Sequence, residues 1–392
     1  MASPSFLEMR SRNAVRILQT VRDQPGLSRA DLSRICDLAK STVSVIVDEL
    51  LQSSILQESG SRDSFRGRRP VGLIFNPASR ITAGISLDLY RTEFVLCDLD
   101  GAVQAARTKK HARRRTLQYS ASTLSSELQK LISDKKSDWR MVGGIGLAVP
   151  APVTSGYVVT EAGDKVDYET LRLQLAEQFS CPVVIDSNAN MAALAESRRG
   201  AARNSEEALV IRLGHEVRSA LIIDHKQVKG AKGRAGELGH LIVPGLDERC
   251  TCGRRGCINS VASVEAIVSL CRARGAEVQD LEEVIAAAMG GDKHCRKALS
   301  EAGRAVGFGI ASCINILAPP DVIVTGRLIA AGNIMLTPLH EAIAKYATAD
   351  NLRSCNLIFD DSQNYIEAIG AGLAALLHED FIVNLVSAIA LS

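Results

Sequence analysis

Apolar side chains recur at helical spacing over residues 10–55: Val15, Leu18 and Val21, then Leu32 and Ile35, then Val43, Val47, Leu50 and Leu51. The pattern predicts three short helices. Pro25-Gly26 ends the first, Ser28 with Asp31 three residues on reads as an N-cap for the second, and Asp37-Leu38-Ala39 reads as a tight turn before Ser41 or Thr42 opens the third. This is helix-turn-helix spacing. Ile55 to Glu58 and Val71 to Phe75 then read as two strands flanking a polar, Gly-containing, Arg-rich excursion, Ser59 to Pro70, which makes the unit winged. A helical module for protein contact has the same periodicity, and the adjoining hairpin favours the DNA-binding form.

Asn76-Pro77-Ala78 breaks that pattern and sets a boundary near 78. Beyond it, strand-like and helix-like segments alternate. Gly84 to Leu87, Glu93 to Asp98 and Ala102 to Thr108 form a strand meander, followed by a helix over Leu117 to Ser133 and a strand over Val142 to Val149. A helix over Leu171 to Phe179, a strand over Val183 to Asp186 and a helix over Met191 to Arg199 complete a mixed α/β unit. From Ala208 the style repeats: strands Leu209 to Leu213 and Ser219 to Asp224, helices Ser263 to Arg274 and Ala298 to Leu317, strand Val322 to Thr325, and a last helix near Tyr365 to Leu377. The expected organisation is a DNA-binding unit over 1–78, a first α/β lobe over 79–198 and a second over 199–392. The last helix either stays with the second lobe or returns to the first.

Composition narrows the class. The 392 residues are 46% hydrophobic and 23% charged, as in soluble globular proteins. No run of about eighteen apolar residues is present, so membrane insertion is not expected. Glu8, Arg10, Arg12 and Arg16 stand where a signal peptide needs apolar residues, so a cytoplasmic location is expected. The net charge is +2, but residues 1–80 hold 12 basic and 8 acidic side chains, which puts the excess on the helix-turn-helix end.

With its apolar positions turned inward, the third helix presents Lys40, Ser41, Thr42, Ser44 and Val45 near its N-terminal end, where a recognition helix meets base edges and phosphates. Arg66, Arg68 and Arg69 put three guanidiniums on an extended segment suited to a narrow minor groove or to phosphate. A second basic run, Arg107 to Arg115, reads as a solvated hairpin edge. His240 with Cys250, Cys252 and Cys257 offers three thiolates and one imidazole, and Gly253 and Gly256 permit the turns that let them converge. Four ligands leave no open position, so the set predicts structural zinc, with unliganded core cysteines as the other reading.

Gly236-Glu237-Leu238-Gly239-His240 followed by C-x-C-G-x-x-G-C resembles the signature of the ROK family (repressor, open reading frame, kinase), and the winged unit resembles that of its transcriptional-repressor branch. Gly146 to Pro150, Lys229 to Gly233 and Asn315 to Pro319 are similar to further family segments. The resemblance implies a two-lobe α/β body of the sugar-kinase-like, actin-like ATPase type. It also implies sugar ligation by Glu237, His240 and Asn188, or, failing that, bracing of the zinc turn by Glu237 and His240. Asn259 stands where the family commonly has a Glu.

Family kinases need glycine turns for phosphate and a catalytic Asp. Here the first turn reads Asp88-Leu89-Tyr90-Arg91-Thr92, the second Gly214-His215-Glu216-Val217-Arg218-Ser219 and the third Thr325-Gly326-Arg327-Leu328. Asn188 occupies the catalytic Asp position, and a neutral amide is no base; Asp186, two residues earlier, is a poor substitute. The expectation is a non-enzymatic repressor of sugar-related genes that takes no ATP. It would bind a double-stranded DNA operator as a homodimer or homotetramer and sense a sugar or sugar phosphate. A regulator controlled by a partner protein and an active sugar kinase with a DNA-binding unit are the alternatives.

Overall fold

The computed structural model describes residues 6–59, 71–111, 119–136, 141–151, 153–154, 157–159, 165–360, 364–378 and 381. Arg66, Arg68 and Arg69, residues 112–115 of the second basic run and the apolar tail beyond 381 lie outside the described residues.

Three helices, α1 (Phe6–Asp23), α2 (Arg29–Ile35) and α3 (Lys40–Gln52), precede an antiparallel pair, β1 (Leu56–Ser59) and β2 (Gly72–Phe75). Ile17, Val21, Leu32, Val43, Ile46, Val47, Leu50 and Leu73 form their shared core. Ser28 caps α2 in a reciprocal box: its Oγ accepts from Asp31 N at 3.3 Å while Asp31 accepts from Ser28 N at 3.2 Å. The Ser28 hydroxyl, donating to Asp31 Oδ2 at 2.7 Å, and then the Ser28 N–H hold the Asp31 carboxyl below its ordinary pKa. α3 begins at Lys40 behind Ala39, not at Ser41 or Thr42, and no side chain caps it. Ile46 joins Val43, Val47 and Leu50 in its buried stripe, while Leu51 is only half-buried and Ile35 is exposed. Gly26 N donates to Leu73 O and Leu73 N to Leu27 O, so the α1–α2 loop extends the small sheet.

The chain then builds β3 (Ile81–Leu87), β4 (Arg91–Asp98), β5 (Val103–Lys110), α4 (Ala121–Asp134), β6 (Val142–Val149), the short strands β7 (Val153–Thr154), β8 (Tyr157–Val159) and β9 (Lys165–Asp167), α5 (Tyr168–Phe179), β10 (Val183–Ser187) and α6 (Asn188–Arg199). Next come β11 (Ala208–Leu213), β12 (Val217–Ile223), β13 (Lys226–Val228), α7 (Asn259–Ala262), α8 (Val264–Ala273), α9 (Leu281–Met289), α10 (Lys293–Leu317), β14 (Asp321–Thr325), α11 (Asn333–Tyr346), α12 (Ala349–Ser354), β15 (Asn356–Asp360) and α13 (Ile366–Leu376).

Two five-stranded sheets result, ordered β10-β6-β3-β4-β5 and β13-β12-β11-β14-β15. Their connectivity is the same. In each, the first strand is central, the next two run antiparallel to one edge, and the last two run parallel on the other side. The parallel strands β3, β6 and β10 end together, with Val149 opposite Ser187, and such carboxyl ends are where open α/β sheets bind ligands. Leu124, Leu128, Leu171 and Leu175 of α4 and α5 cover one face of the first sheet. Among the described residues, no helix is long and apolar enough to cross a membrane.

α13, the last described helix, covers the other face of the first sheet. A Cβ on Gly84 would lie 1.8 Å from Ala368 O, and one on Gly146 would lie 1.9 Å from Ala371 O. Within the helix pair, a Cβ on Gly370 would lie 1.7 Å from Met191 O of α6. The helices meet the sheet backbone to backbone, which only glycine allows. Gly146→Ala is therefore expected to destabilise the body by about 1–3 kcal/mol through overpacking. Chemical denaturation monitored by circular dichroism checks this, with Gly290→Ala as the control, at a glycine of ordinary helical φ where a Cβ would make only van der Waals contacts of 3.4 Å.

Candidate metal centre and effector cleft

Lys40, Ser41, Thr42 and Ser44 fall on the first two turns of α3. Lys40, Ser41 and the adjoining Val45 are exposed, Thr42 and Ser44 half-buried, and none of the four polar side chains has a hydrogen bond within the described residues. The first N–H groups of an uncapped helix and these side chains share one end, an arrangement that receives phosphate readily. The second basic run behaves as expected for an edge. Arg107 and Lys109 of β5 pair with Glu127 of α4, and Arg107 also reaches Asp134.

His240 and Cys250, Cys252 and Cys257 come together with one donor atom each, all within 4.8 Å of one another. Cys250 Sγ lies 3.8 Å from His240 Nδ1, and Cys252 Sγ lies 3.7 Å from Cys257 Sγ. Gly253 at φ +88° and Gly256 at φ +77° make the turns that bring 250, 252 and 257 to one point. Burial raises the pKa of the Cys252 thiol, but hydrogen bonds from Arg254 and from the neighbouring thiols outweigh it and leave the value at about 7. The group can hold a metal ion. His240 Nε2 points away from the thiols, 3.5 Å from Glu237 Oε2.

Glu237 is held on its other side by a residue the sequence reading did not single out. Arg218, 6% exposed, donates through Nη2 to Glu237 Oε1 at 2.9 Å and through Nη1 to Glu216 at 3.0 Å. The sequence pattern puts Arg218 in a turn ahead of a strand beginning at Ser219, whereas β12 begins at Val217 and buries it. Asn188 opens α6 behind the N-cap Ser187, at the carboxyl end of the first sheet. Its Nδ2 reaches Leu87 O at 3.4 Å, while Oδ1 is buried and has no partner among the described residues. Asp186 is fully committed: it accepts from Lys229 at 2.7 Å, from Asn190 at 2.6 Å and from Ser187 N at 2.7 Å. Asn188 has no hydrogen bond to Glu237 or His240. The two groups stand on different lobes, which Lys229–Asp186 and Gln227 Nε2 to Asn190 O tie together.

The three turns compared above with kinase glycine turns hold side chains that make ion pairs and hydrogen bonds. Arg212 of β11, 5% exposed, pairs through Nε with Glu367 of α13 and lies 3.8 Å from Asp88 Oδ2. Its guanidinium covers the second turn, since a Cβ on Gly214 would meet Arg212 Nη1 at 2.5 Å. Tyr90, in the first turn, donates its hydroxyl to Glu265 of α8 at 3.1 Å, across the lobes. Arg327, in the third, pairs with Glu282 at 2.5 Å. Beside them lies a cavity of about 420 Å³ lined by Arg91, Glu93, Thr325, Gly326, Arg327 and Asp360, among others.

Asp88, Glu93 and Glu367 are all under a tenth exposed. Burial, then repulsion from Glu367, pushes Glu93 up to about 7, against the pull of Arg91. Burial would raise Glu367 too, but Arg212 reverses the shift and holds it below its ordinary value. Glu196 of α6, fully buried, is likewise pushed up to about 7 by burial and by Asp360. Because the folded protein binds these protons more tightly than the unfolded chain, their stabilisation is complete below the ordinary carboxyl pKa and is lost as pH rises through about 7. Thermal unfolding is expected at lower temperature at about pH 8 than at about pH 6, and Glu93→Gln is expected to remove part of that difference. Differential scanning calorimetry of both proteins checks it.

Comparison with known proteins agrees with this geometry. The ROK family model matches residues 83–379, and a winged helix-turn-helix DNA-binding model matches residues 10–57. The xylose repressor of Caldicellulosiruptor bescii is 30% identical over 349 residues, covering 84% of this chain and 87% of that protein. The crystal structure of a ROK family transcriptional regulator, a homologue of the Escherichia coli MLC protein, superposes with a TM-score of 0.79 at 23% identity, over 97% of this chain and 100% of that one. A ROK family glucokinase from Streptomyces griseus, solved with glucose and AMPPNP, gives a TM-score of 0.63 at 21% identity, over 74% of this chain and 98% of that one. The two-lobed body is thus a fold shared by regulators and sugar kinases, and this chain belongs to the ROK family.

Proposed function

We propose that this chain is a sugar-responsive DNA-binding repressor of the ROK type, whose body binds an effector in a kinase-like cleft but transfers no phosphate and takes no ATP. The observation that carries this reading is the buried Arg212–Glu367–Asp88 cluster over the Gly214 turn. A nucleotide phosphate there would have to displace a paired guanidinium and approach three buried carboxyl groups, at a cost in desolvation and repulsion.

The effector is a sugar or sugar phosphate. Asn188 Oδ1, buried without a partner, accepts a hydroxyl proton as a hydrogen bond but cannot remove it, so the bound polyol stays unreacted. Glu237, held by Arg218, and His240 Nε2 face the same hydroxyl chemistry from the second lobe. Zinc, when bound by His240, Cys250, Cys252 and Cys257, supplies a structural cross-link. The donor spacings of 3.7 and 3.8 Å agree with tetrahedral ligation at about 2.0–2.3 Å. The same histidine then fixes the metal loop and orients Glu237. Lys40, Ser41, Thr42 and Ser44 read the operator, with Arg66, Arg68 and Arg69 on its backbone or minor groove. A cytoplasmic homodimer or homotetramer presents two such units to a palindromic site.

Fluorescence anisotropy on the DNA upstream of the protein's own coding region tests the reading, with D-xylose, hexoses, N-acetylhexosamines and their phosphates as probes. Specific binding relieved by one of these sugars is the expected result. Binding indifferent to all of them moves the input to a partner protein, and sugar-dependent ATP consumption in a coupled assay overturns the non-enzymatic reading. Cys257→Ser removes one donor from a closed set. Metal content is expected to fall from about one zinc per chain to well below half, with loss of thermal stability. Retention of both, measured by atomic emission and calorimetry, rejects the structural-zinc assignment.

A further inference from the structure

Two helices run from the effector cleft to the DNA-binding unit, and both carry a cleft residue at one end and a contact toward α1 at the other. α6 begins at Asn188 and ends at Arg199, whose Nη1 donates to Asp100 O at 2.9 Å. α13 begins beside Glu367, the partner of Arg212, and ends at Leu376 and Leu377, which pack with Val15, Leu18 and Arg22 of α1 and with Phe75. At 12 and 11 residues, each is about 16–18 Å of stiff helix. They touch backbone to backbone at Gly370 and Met191, and Ala192 and Ala195 of α6 pack with Ile369 and Leu373 of α13 around that point.

The β4–β5 turn closes the joint. Leu99, fully buried, belongs to the core of the winged unit, and its N donates to Pro77 O at 3.0 Å. Asp100 beside it pairs with Arg22 of α1 at 3.1 Å and with Arg199 of α6 at 3.6 Å. The Arg22 side chain is 14% exposed and that of Asp100 44%, so the pair sits at the rim of the joint with its guanidinium covered and its carboxylate reached by water.

We propose that α6 and α13 move as one block with the lobes, and that Asp100 is the positioning residue through which the block sets the orientation of α1. That the movement is sugar-driven rests on the function proposed above; the mechanical link does not. Hydrogen exchange on the full chain, without DNA or sugar, tests the link by comparing the parent protein, Glu367→Gln, Asp100→Asn and the double variant. Glu367→Gln loosens the cleft end. Exchange is expected to rise about fivefold or more in β11 and also in α1, and in the Asp100→Asn background the β11 response persists while the α1 response falls to about half or less, the remainder passing through the Leu376 contact. No α1 response to Glu367→Gln, or an equal response in both backgrounds, overturns the proposal. Should Glu367→Gln not fold, Arg212→Met with Glu367→Met removes both charges together and perturbs the same end.

Anisotropy separates positioning from a merely structural role. Asp100→Asn is expected to keep sugar-free affinity for the upstream DNA within about threefold while reducing release by D-xylose about tenfold. Parallel loss of DNA binding overturns the positioning role. A parent protein that D-xylose does not release bears on the sensor reading alone, and the exchange comparison then decides the link.

Discussion

α13 can reach the first sheet only where the sheet has no side chains. Gly84 and Gly146 lie against Ala368 and Ala371, and α13 in turn meets α6 where Gly370 meets Met191. This close approach joins the last described helix to the first strand of the body, nearly 300 residues away in the chain. A contact between segments so far apart in the chain carries a large loop-closure cost, which slows folding. The second lobe, the cleft and the seat of the winged unit are all placed relative to this packing.

The same helix carries the charge that closes the cleft. Glu367 sits where α13 emerges between the lobes, and Arg212 turns from β11 to meet it, with Asp88 at the end of β3. Buried charges are tolerated only when paired, and each of these would be costly alone. Tyr90, in the turn after β3, and Arg212, whose guanidinium covers Gly214, each make a contact across the lobes, to Glu265 and Glu367.

On the second lobe the candidate metal-binding group and the candidate effector ligands share one side chain. His240 presents Nδ1 to the thiols and Nε2 toward Glu237, and Arg218 fixes Glu237 from the opposite side. The short metal loop and the cleft wall are thus mechanically a single feature, because moving either ring nitrogen moves both.

What the chain alone determined is local. Helical spacing over residues 10–55 and the capping pair Ser28 and Asp31 specify the winged unit, because their partners lie within one or two turns. The C-x-C-G-x-x-G-C run specifies its donor set because three ligands fall within eight residues and glycines supply the turns. Helix α11 escaped the periodicity reading, with Pro338 inside it, and so did α9 and the edge strand β15. The shared connectivity of the two sheets left no sequence repeat, since topology constrains which positions are apolar and not which residues fill them. Arg212 with Glu367, 155 residues apart, Arg22 with Asp100, and the return of α13 to Gly84 and Gly146 were decided only by tertiary structure. Spacing along a chain encodes contacts within an element, whereas contacts between elements depend on a close-packed arrangement that no local pattern records.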